Sequence, residues 1–391
     1  MDTTKRLLQI TEAHLSALCE TIWDGSCVAF VGAGFSAAAR LPGWHALIQD
    51  VADEVPANDE VRQAVDQLLL RPDPGHRALE AAAQLLQDRL GREAFHRAVA
   101  RGLQPHEGLT PVFLQRRRDL LATPFRAVLT TNFDPLLPGD PPGPRTYRQL
   151  LREGWGGPWD PCYWPGDATL RRGPGGVQLH GAVSSDRLVF ARRDYRELLF
   201  ANPAYLTFLK ALFATRTVLF LGFSFRDAYL DLLRAELMQL VDPEVSDPPL
   251  AYAVLTDVTW AEALYLRRHE GMGVLWYPPT PDHRGFDVLL QRLADATNPV
   301  RRLGRRLAGA RVLWLDPHPT NNALARRLLG DDALEEVADL QEALDALQQR
   351  PWDLVITHWG WRPDGLSNAQ RLLDWMHRHD RRVPVVVFSS P

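Results

Sequence analysis

Residues 27–36 read CVAFVGAGFS, and this stretch is the clearest indication of the fold in the sequence. Its first half is a short apolar run, which is typical of a buried strand in a parallel sheet. Its second half is a Gly-x-Gly turn before a predicted helix, the arrangement in which a strand meets a phosphate-binding loop. A tight turn in any α/β sheet is the alternative interpretation. The residues expected to contact a pyrophosphate here are Gly32, Ala33, Gly34, Phe35 and Ser36.

Similar apolar runs recur along the chain and alternate with segments of helical periodicity. Further strands are predicted at 126–131, 177–179, 217–221, 251–255 and 273–277, and helices at 7–23, 41–55, 59–70, 77–101, 195–214, 226–241 and 287–296. This alternation predicts an α/β fold, a Rossmann-like doubly wound parallel sheet with helical insertions. The predicted domains are 1–300, which binds the nucleotide, and 311–391, a smaller flavodoxin-like or receiver-like α/β domain, joined by a linker at 301–310.

The composition narrows the class of protein. The 391 residues are 46% hydrophobic and 24% charged, with a formal net charge of -4, so nothing favours nucleic acid or anionic membranes as partners. Three cysteines without Cys-x-x-Cys spacing predict reduced thiols and no four-cysteine zinc site. With no signal peptide and no apolar run of membrane-spanning length, we expect a cytoplasmic protein.

Two polar motifs follow predicted strands. Thr-Thr-Asn-Phe-Asp at 130–134 places Thr131, Asn132 and Asp134 at the carboxyl end of a strand, where α/β sheets bind ligands. An Asx-turn that caps the next helix is the alternative. Gln-Leu-His-Gly at 178–181 follows a second short strand, and His180 there is a candidate general base near neutral pH.

A second glycine turn occurs in Leu-Gly-Phe-Ser-Phe-Arg-Asp at 221–227. It repeats the order of strand, glycine turn, serine and predicted helix. Gly222 and Ser224 are therefore expected to contact the adenosine half of a dinucleotide. Asp227 could do the same, but it is equally suited to be an acidic residue in the first turn of the predicted helix.

These motifs, in this order, resemble those of the sirtuin-like family over about residues 15–296. They are most similar to the branch found in bacterial anti-phage defence proteins. By this resemblance, Asn132 holds the reacting ribose or a water, Asp134 contacts the nicotinamide amide, and His180 is the catalytic base. The resemblance further implies that Trp44, in Leu-Pro-Gly-Trp at 41–44, covers the nicotinamide end of the site.

The sequence also departs from the family. Deacylating sirtuins hold a structural zinc with two Cys-x-x-Cys pairs, which three scattered cysteines cannot supply. Arg40 stands where the family has glycine, and His45 where the deacylases have arginine. Family members without the zinc module are typically NAD hydrolases, so the resemblance implies that NAD is the substrate and water the acceptor, with no metal.

Three functions remain open from the sequence. The first is an NAD hydrolase of antiviral defence, activated by homo-oligomer assembly, a small-nucleotide signal or a partner such as a HerA-type ATPase or an Argonaute-like protein. The second is an NAD-dependent protein deacylase or ADP-ribosyltransferase. The third is a non-catalytic nucleotide sensor or scaffold.

The C-terminal region opens with Arg-Val-Leu-Trp-Leu-Asp at 311–316, and its spacing resembles a receiver domain. Asp316 matches an acidic-pocket position, and Ser389 or Ser390 the switch hydroxyl. His358 stands where the phosphoacceptor aspartate would be, so phosphorelay is not expected. The alternatives are a degenerate receiver-like module for assembly or sensing and a plain α/β subdomain.

Overall fold

The structure is a computed structural model. It describes residues 3–70, 75–104, 108–137, 176–183, 188–198, 203–223, 248–298, 307, 309–318, 326, 333–360 and 367–388. The chain divides into two compact units, Met1–Thr297 and Asn298–Pro391. Among the described helices, none has the length and apolarity that a membrane span requires.

The first unit is built on a six-stranded sheet in which all neighbouring strands are parallel. Its strands are β1 Cys27–Val31, β2 Val128–Thr130, β3 Gly176–Gln178, β4 Thr217–Leu221, β5 Ala251–Leu255 and β6 Met272–Trp276. The strand order is β3-β2-β1-β4-β5-β6, the order of a dinucleotide-binding Rossmann sheet. The predicted fold class is confirmed.

Helices of the first unit lie before β1, in the connections between strands and after β6. They are α1 Thr3–Trp23, α2 Ala33–Ser36, α3 Trp44–Ala52, α4 Glu60–Leu69, α5 Gly75–Leu90, α6 Arg92–Gly102, α7 Pro111–Ala122, α8 Arg192–Arg196, α9 Pro203–Thr215, α10 Trp260–His269 and α11 Arg284–Thr297. The prediction of one helix over 77–101 is wrong, because Gly91 adopts a φ of 79° and separates α5 from α6. Helices α7 and α10 were not predicted.

Strand β1 lies at the centre of the core, because both of its faces are covered. Val28 and Phe30 belong to one apolar cluster, and Cys27, Ala29 and Val31 to another. All five residues are fully buried, as expected for a central parallel strand between two helical layers. A third apolar cluster joins α3, α4, α5 and α6.

The second unit contains a four-stranded parallel sheet. Its strands are β7 Val312–Leu315, β8 Leu334–Val337, β9 Leu354–His358 and β10 Val385–Phe388, and its described helices are α12 Leu340–Gln349 and α13 Asn368–Arg378. The order β8-β7-β9-β10 is that of the first four strands of a flavodoxin-like sheet. Asp316 directly follows β7, and His358 ends the neighbouring β9.

Several predictions fall on positions outside the described residues. They are Ser224, Asp227, Ser389, Ser390, the third of the three cysteines, Cys162, the helix predicted at 226–241 and most of the linker at 301–310.

Candidate active site

The centre of the first sheet is a topological switch point. Strands β2 and β4 pair with opposite sides of β1, so the connections after β1 and β4 leave the sheet in different directions. Open α/β sheets bind ligands outside the carboxyl ends of strands at such a point. The turn Gly32–Ser36 follows β1, and Gly222 follows β4.

The two glycine turns are in direct contact. The Gly32 N–H donates to the Leu221 carbonyl at 2.8 Å, and the Gly34 N–H donates to the Gly222 carbonyl at 2.9 Å. A Cβ at either Gly32 or Gly34 would lie 2.8 Å from the Gly222 oxygen. These glycines are therefore required by the packing of one turn on the other. Because both N–H groups already donate to backbone, a phosphate would meet the exposed surface of Ala33 and Gly34.

Phe35 and Ser36 are both buried, with different surroundings. The Phe35 ring is fully buried and packs edge-to-face on Phe113 and Phe286. Its side chain is thus part of the core, and its N–H donates to the Gly32 carbonyl at 3.0 Å. The Ser36 hydroxyl instead faces polar groups from the end of β2.

Asn132 connects the end of β2 to the first glycine turn. Its Nδ2 donates to the Gly32 carbonyl and to the Ser36 hydroxyl, each at 3.1 Å. Its backbone N–H donates to Thr130 Oγ1 at 3.0 Å, and that hydroxyl donates to the Val31 carbonyl at 2.8 Å. Since the amide nitrogen has only two protons, Asn132 is left with Oδ1, an acceptor, to offer a ribose hydroxyl or a water.

Asp134 is a buried carboxyl group beside the same serine. Its Oδ1 accepts from the Leu136 N–H at 3.1 Å, and Gln178 Nε2, at the end of β3, donates to its backbone carbonyl at 3.0 Å. Burial raises the pKa of Asp134, and the hydrogen bond from Ser36 partly opposes this. Thr131, directly before Asn132, donates its N–H to the Val31 carbonyl at 3.3 Å.

We expect Asp134→Asn to remove a pH dependence from the free energy of unfolding. Burial raises the folded-state pKa above the value of about 3.9 in unfolded peptides, so the folded chain binds more protons between the two pKa values. Stability is therefore fully present below the unfolded pKa and falls as pH rises through the folded pKa. Urea denaturation across this pH range should show the fall in the parent and not in the variant.

The control for this prediction is Asp282→Asn, which should act with the opposite sign. Hydrogen bonds with Thr280 and Arg284 lower the pKa of Asp282, so its contribution is present above the unfolded pKa and lost as pH falls. Superimposable pH profiles for the parent and the Asp134 variant would contradict the prediction.

His180 stands at the same edge of the sheet as Asn132. Strands β2 and β3 pair with Thr130 opposite Gln178, and Asn132 and His180 each lie two residues beyond this pair. The imidazole is 2% exposed, with the Tyr195 ring edge-to-face at 5.3 Å between centroids. The following Gly181 has a φ of 91°, which permits the turn that ends the strand.

An aromatic row extends from His180 to Trp44. Ring centroids are 6.4 Å apart for His180 and Phe133, 5.3 Å for Phe133 and Phe190, and 5.0 Å for Phe190 and Trp44, the last pair being stacked. The buried Asp194 accepts from the Phe190 N–H at 3.3 Å. Trp44, the predicted cover of the nicotinamide, is therefore connected through packed rings to His180, the predicted base.

The structure thus brings most of the predicted site residues to one edge of the sheet. Gly32, Ser36, Asn132 and Asp134 form one network, and Gly222 packs on its first turn. Trp44 and His180 are connected to this network by the aromatic row, because Phe133 in that row lies between Asn132 and Asp134 in the sequence.

Sequence reasoning missed two polar side chains beneath the turn, Arg116 and Asp287, and gave Gln178 no role. Helical spacing places Arg116 on the same face of α7 as the buried Phe113 and Leu120, and this was the available signal. Asp287 lies in the first turn of α11.

The described residues contain no group of three or more His, Cys, Asp or Glu side chains arranged to hold a metal ion. Cys19 and Cys27 are buried and form no disulfide, and burial raises the pKa of Cys27. A buried thiol of this kind is inert rather than a ready metal ligand.

Comparison with known protein families finds one match. Residues 126–274 match the SIR2-like domain family, over less than half of the chain. The match supports a relationship to the sirtuin-like family and is consistent with an NAD-utilising enzyme. It includes Asn132, Asp134, His180 and Gly222, whereas the turn at 32–36 lies outside it. A search of curated proteins finds no match.

Proposed function

We propose that the chain is an NAD glycohydrolase, which breaks the bond between nicotinamide and ribose to give nicotinamide and ADP-ribose. One observation carries the proposal: Asn132 is fixed against the Gly32 carbonyl and the Ser36 hydroxyl, at the strand end that neighbours His180. Asn132 and the glycine turn thus lie beside the switch point, and the candidate base follows β3, the strand that pairs with β2.

The reaction requires positive charge to develop on the ribose while nicotinamide leaves. The bond between C1′ and the ring nitrogen breaks, and its electron pair goes to the neutral nicotinamide. A water oxygen then bonds to C1′ and loses a proton, which His180 accepts. Asn132 Oδ1 would hold the ribose or this water, and a positioned general base contributes about 100- to 10,000-fold.

The other predicted site residues would contact successive parts of the dinucleotide. Asp134 would bind the nicotinamide amide, and Trp44, stacked on Phe190, would cover that end. The turn residues 32–36 would approach the pyrophosphate, with Thr131 beside them. Gly222 and Ser224 would contact the adenosine half.

Turnover with isotopic water tests this reaction. We expect the chain, incubated with NAD in H₂¹⁸O under the condition that activates it and in the absence of any peptide, to release nicotinamide and ADP-ribose in equal amounts, with ¹⁸O at C1′ of the ribose. Liquid chromatography with mass spectrometry measures both products. Product formation only with an acyl-lysine peptide would indicate a deacylase, and ADP-ribose attached to protein would indicate a transferase.

We further propose that this activity depletes NAD in antiviral defence. An unregulated NAD hydrolase would harm its own cell, so a partner protein, a small nucleotide or homo-oligomer assembly would activate it. The resemblance of the motifs to anti-phage proteins is the support for this role. NAD consumption should therefore be measured alone and with the proteins encoded beside this chain.

A further inference from the structure

A buried arginine lies beneath the first glycine turn. Arg116, on α7, is 4% exposed, and its Nη1 donates to the Gly34 carbonyl at 3.2 Å and to the Phe35 carbonyl at 2.9 Å. Its Nε and Nη2 donate to the two carboxylate oxygens of Asp287, on α11, at 2.6 and 3.1 Å. The guanidinium therefore joins two helices to the backbone of the turn.

The first glycine turn needs stabilising contacts from outside its own short helix. Helix α2 is a single turn of four residues that continues into one 3-10 turn, Ala37–Ala39, and so short a helix is unstable without outside contacts because nucleation costs more than one hydrogen bond returns. The carbonyls at the carboxyl end of a helix lack intrahelical donors, and a cation there is stabilising. Arg116 supplies both the donors and the charge.

The Gly34 residue is held from both sides. Its N–H donates to the Gly222 carbonyl on the ligand-binding edge, and its own carbonyl accepts from Arg116 below. Glycine has the largest backbone freedom of any residue, so the exposed surface at 33–34 keeps one conformation only if both contacts are present. The bidentate pair with Asp287 fixes the plane of the guanidinium, which a lysine would not reproduce.

We propose that Arg116 and Asp287 are a positioning pair, which sets the Gly32–Ser36 turn for binding the NAD pyrophosphate. This inference rests on the proposed function, since NAD is the ligand named. Neither side chain touches the ligand, and the pair acts through the carbonyls of Gly34 and Phe35.

Four variants separate a positioning role from structural support alone. Arg116→Met leaves Asp287 unpaired and should destabilise the first unit. The double variant Arg116→Met/Asp287→Leu removes both charges and leaves no unpaired charge beside the buried position 116, and such paired replacement by apolar groups commonly restores stability. The control, Arg292→Met, removes another bidentate pair from α11, that with Glu12, which lies away from the turn.

Hydrogen exchange of peptides covering 30–40 measures the turn without ligand, and calorimetric titration measures NAD affinity. We expect the double variant to recover the parental unfolding midpoint, to exchange at the turn at least about tenfold faster and to bind NAD about tenfold more weakly, a change worth about 1.4 kcal/mol. Arg116→Lys should lie between the parent and the double variant, and Arg292→Met should match the parent in exchange and affinity.

The two proposals fail in different ways. Parental exchange at the turn in the double variant would overturn the positioning role, and so would faster exchange with parental NAD affinity. A parent that binds no NAD would overturn the proposed function, and exchange of the ligand-free chain would then decide whether Arg116 orders the turn.

Discussion

His180→Gln protein is expected to stay folded and to cleave NAD at least about 100-fold more slowly than the parent, under whatever condition the parent turns over. Glutamine retains a polar side chain beside the Tyr195 ring but cannot accept the proton from water. Because the change removes a group that acts in the transition state, kcat should fall and KM should change little. Release of nicotinamide over time measures this effect.

The matched control is His96→Gln, on α6. His96 is half-buried and contacts the Phe95 ring, away from the strand ends that form the site. We expect the control to keep the parental rate. The double variant Asn132→Ala/His180→Gln should be about as slow as His180→Gln alone, because groups that act as one unit are not additive. A parental rate in His180→Gln would show that the base has been assigned wrongly.

The largest expected loss of stability follows Gly222→Ala. Gly222 has a φ of 74°, and a Cβ there would lie 2.3 Å from the Phe35 backbone nitrogen and 2.9 Å from the Gly34 carbonyl carbon. Since both obstacles are backbone atoms, the two glycine turns would have to separate. The left-handed backbone and the overpacking together should lower the free energy of unfolding by about 2 to 5 kcal/mol.

Gly25→Ala provides the control, because Gly25 has nearly the same φ of 68° and nothing within 4 Å of an added Cβ. It should cost about 1 to 2 kcal/mol, the backbone part alone. Urea titration with pulsed hydrogen exchange of peptides from β1 follows the first unit separately, since two units need not unfold together. Equal losses in the two variants would show that the turns are not packed as described.

The apolar runs predicted the sheet well, because a short apolar run bounded by turn residues is typical of a buried parallel strand. Strands β1, β4 and β5 have the predicted bounds, and the alternation of strands and helices led to the correct fold class. Helix ends were harder to predict from the sequence, because the alanine- and leucine-rich segment around Gly91 has helical periodicity on both sides of the break.

The site was predictable only in part. The motifs gave its candidate residues, because strand ends of a parallel sheet meet at one edge. The contact between the Gly34 N–H and Gly222 depends on residues nearly two hundred positions apart, and local patterns do not report such pairing. The role of Arg116 was likewise hidden: helical spacing indicates that it is the buried arginine of the three at 116–118, but its contacts with the Gly34 and Phe35 carbonyls and with Asp287 join segments far apart in the sequence.

A crystal structure of the His180→Gln variant with intact NAD would test the convergence of these residues most directly. We expect the pyrophosphate at the Gly32–Ser36 turn and the nicotinamide ribose against Asn132 Oδ1, with C1′ facing residue 180 across the width of one water. NAD bound in the reverse direction, or with its nicotinamide ribose remote from Asn132, would contradict this expectation.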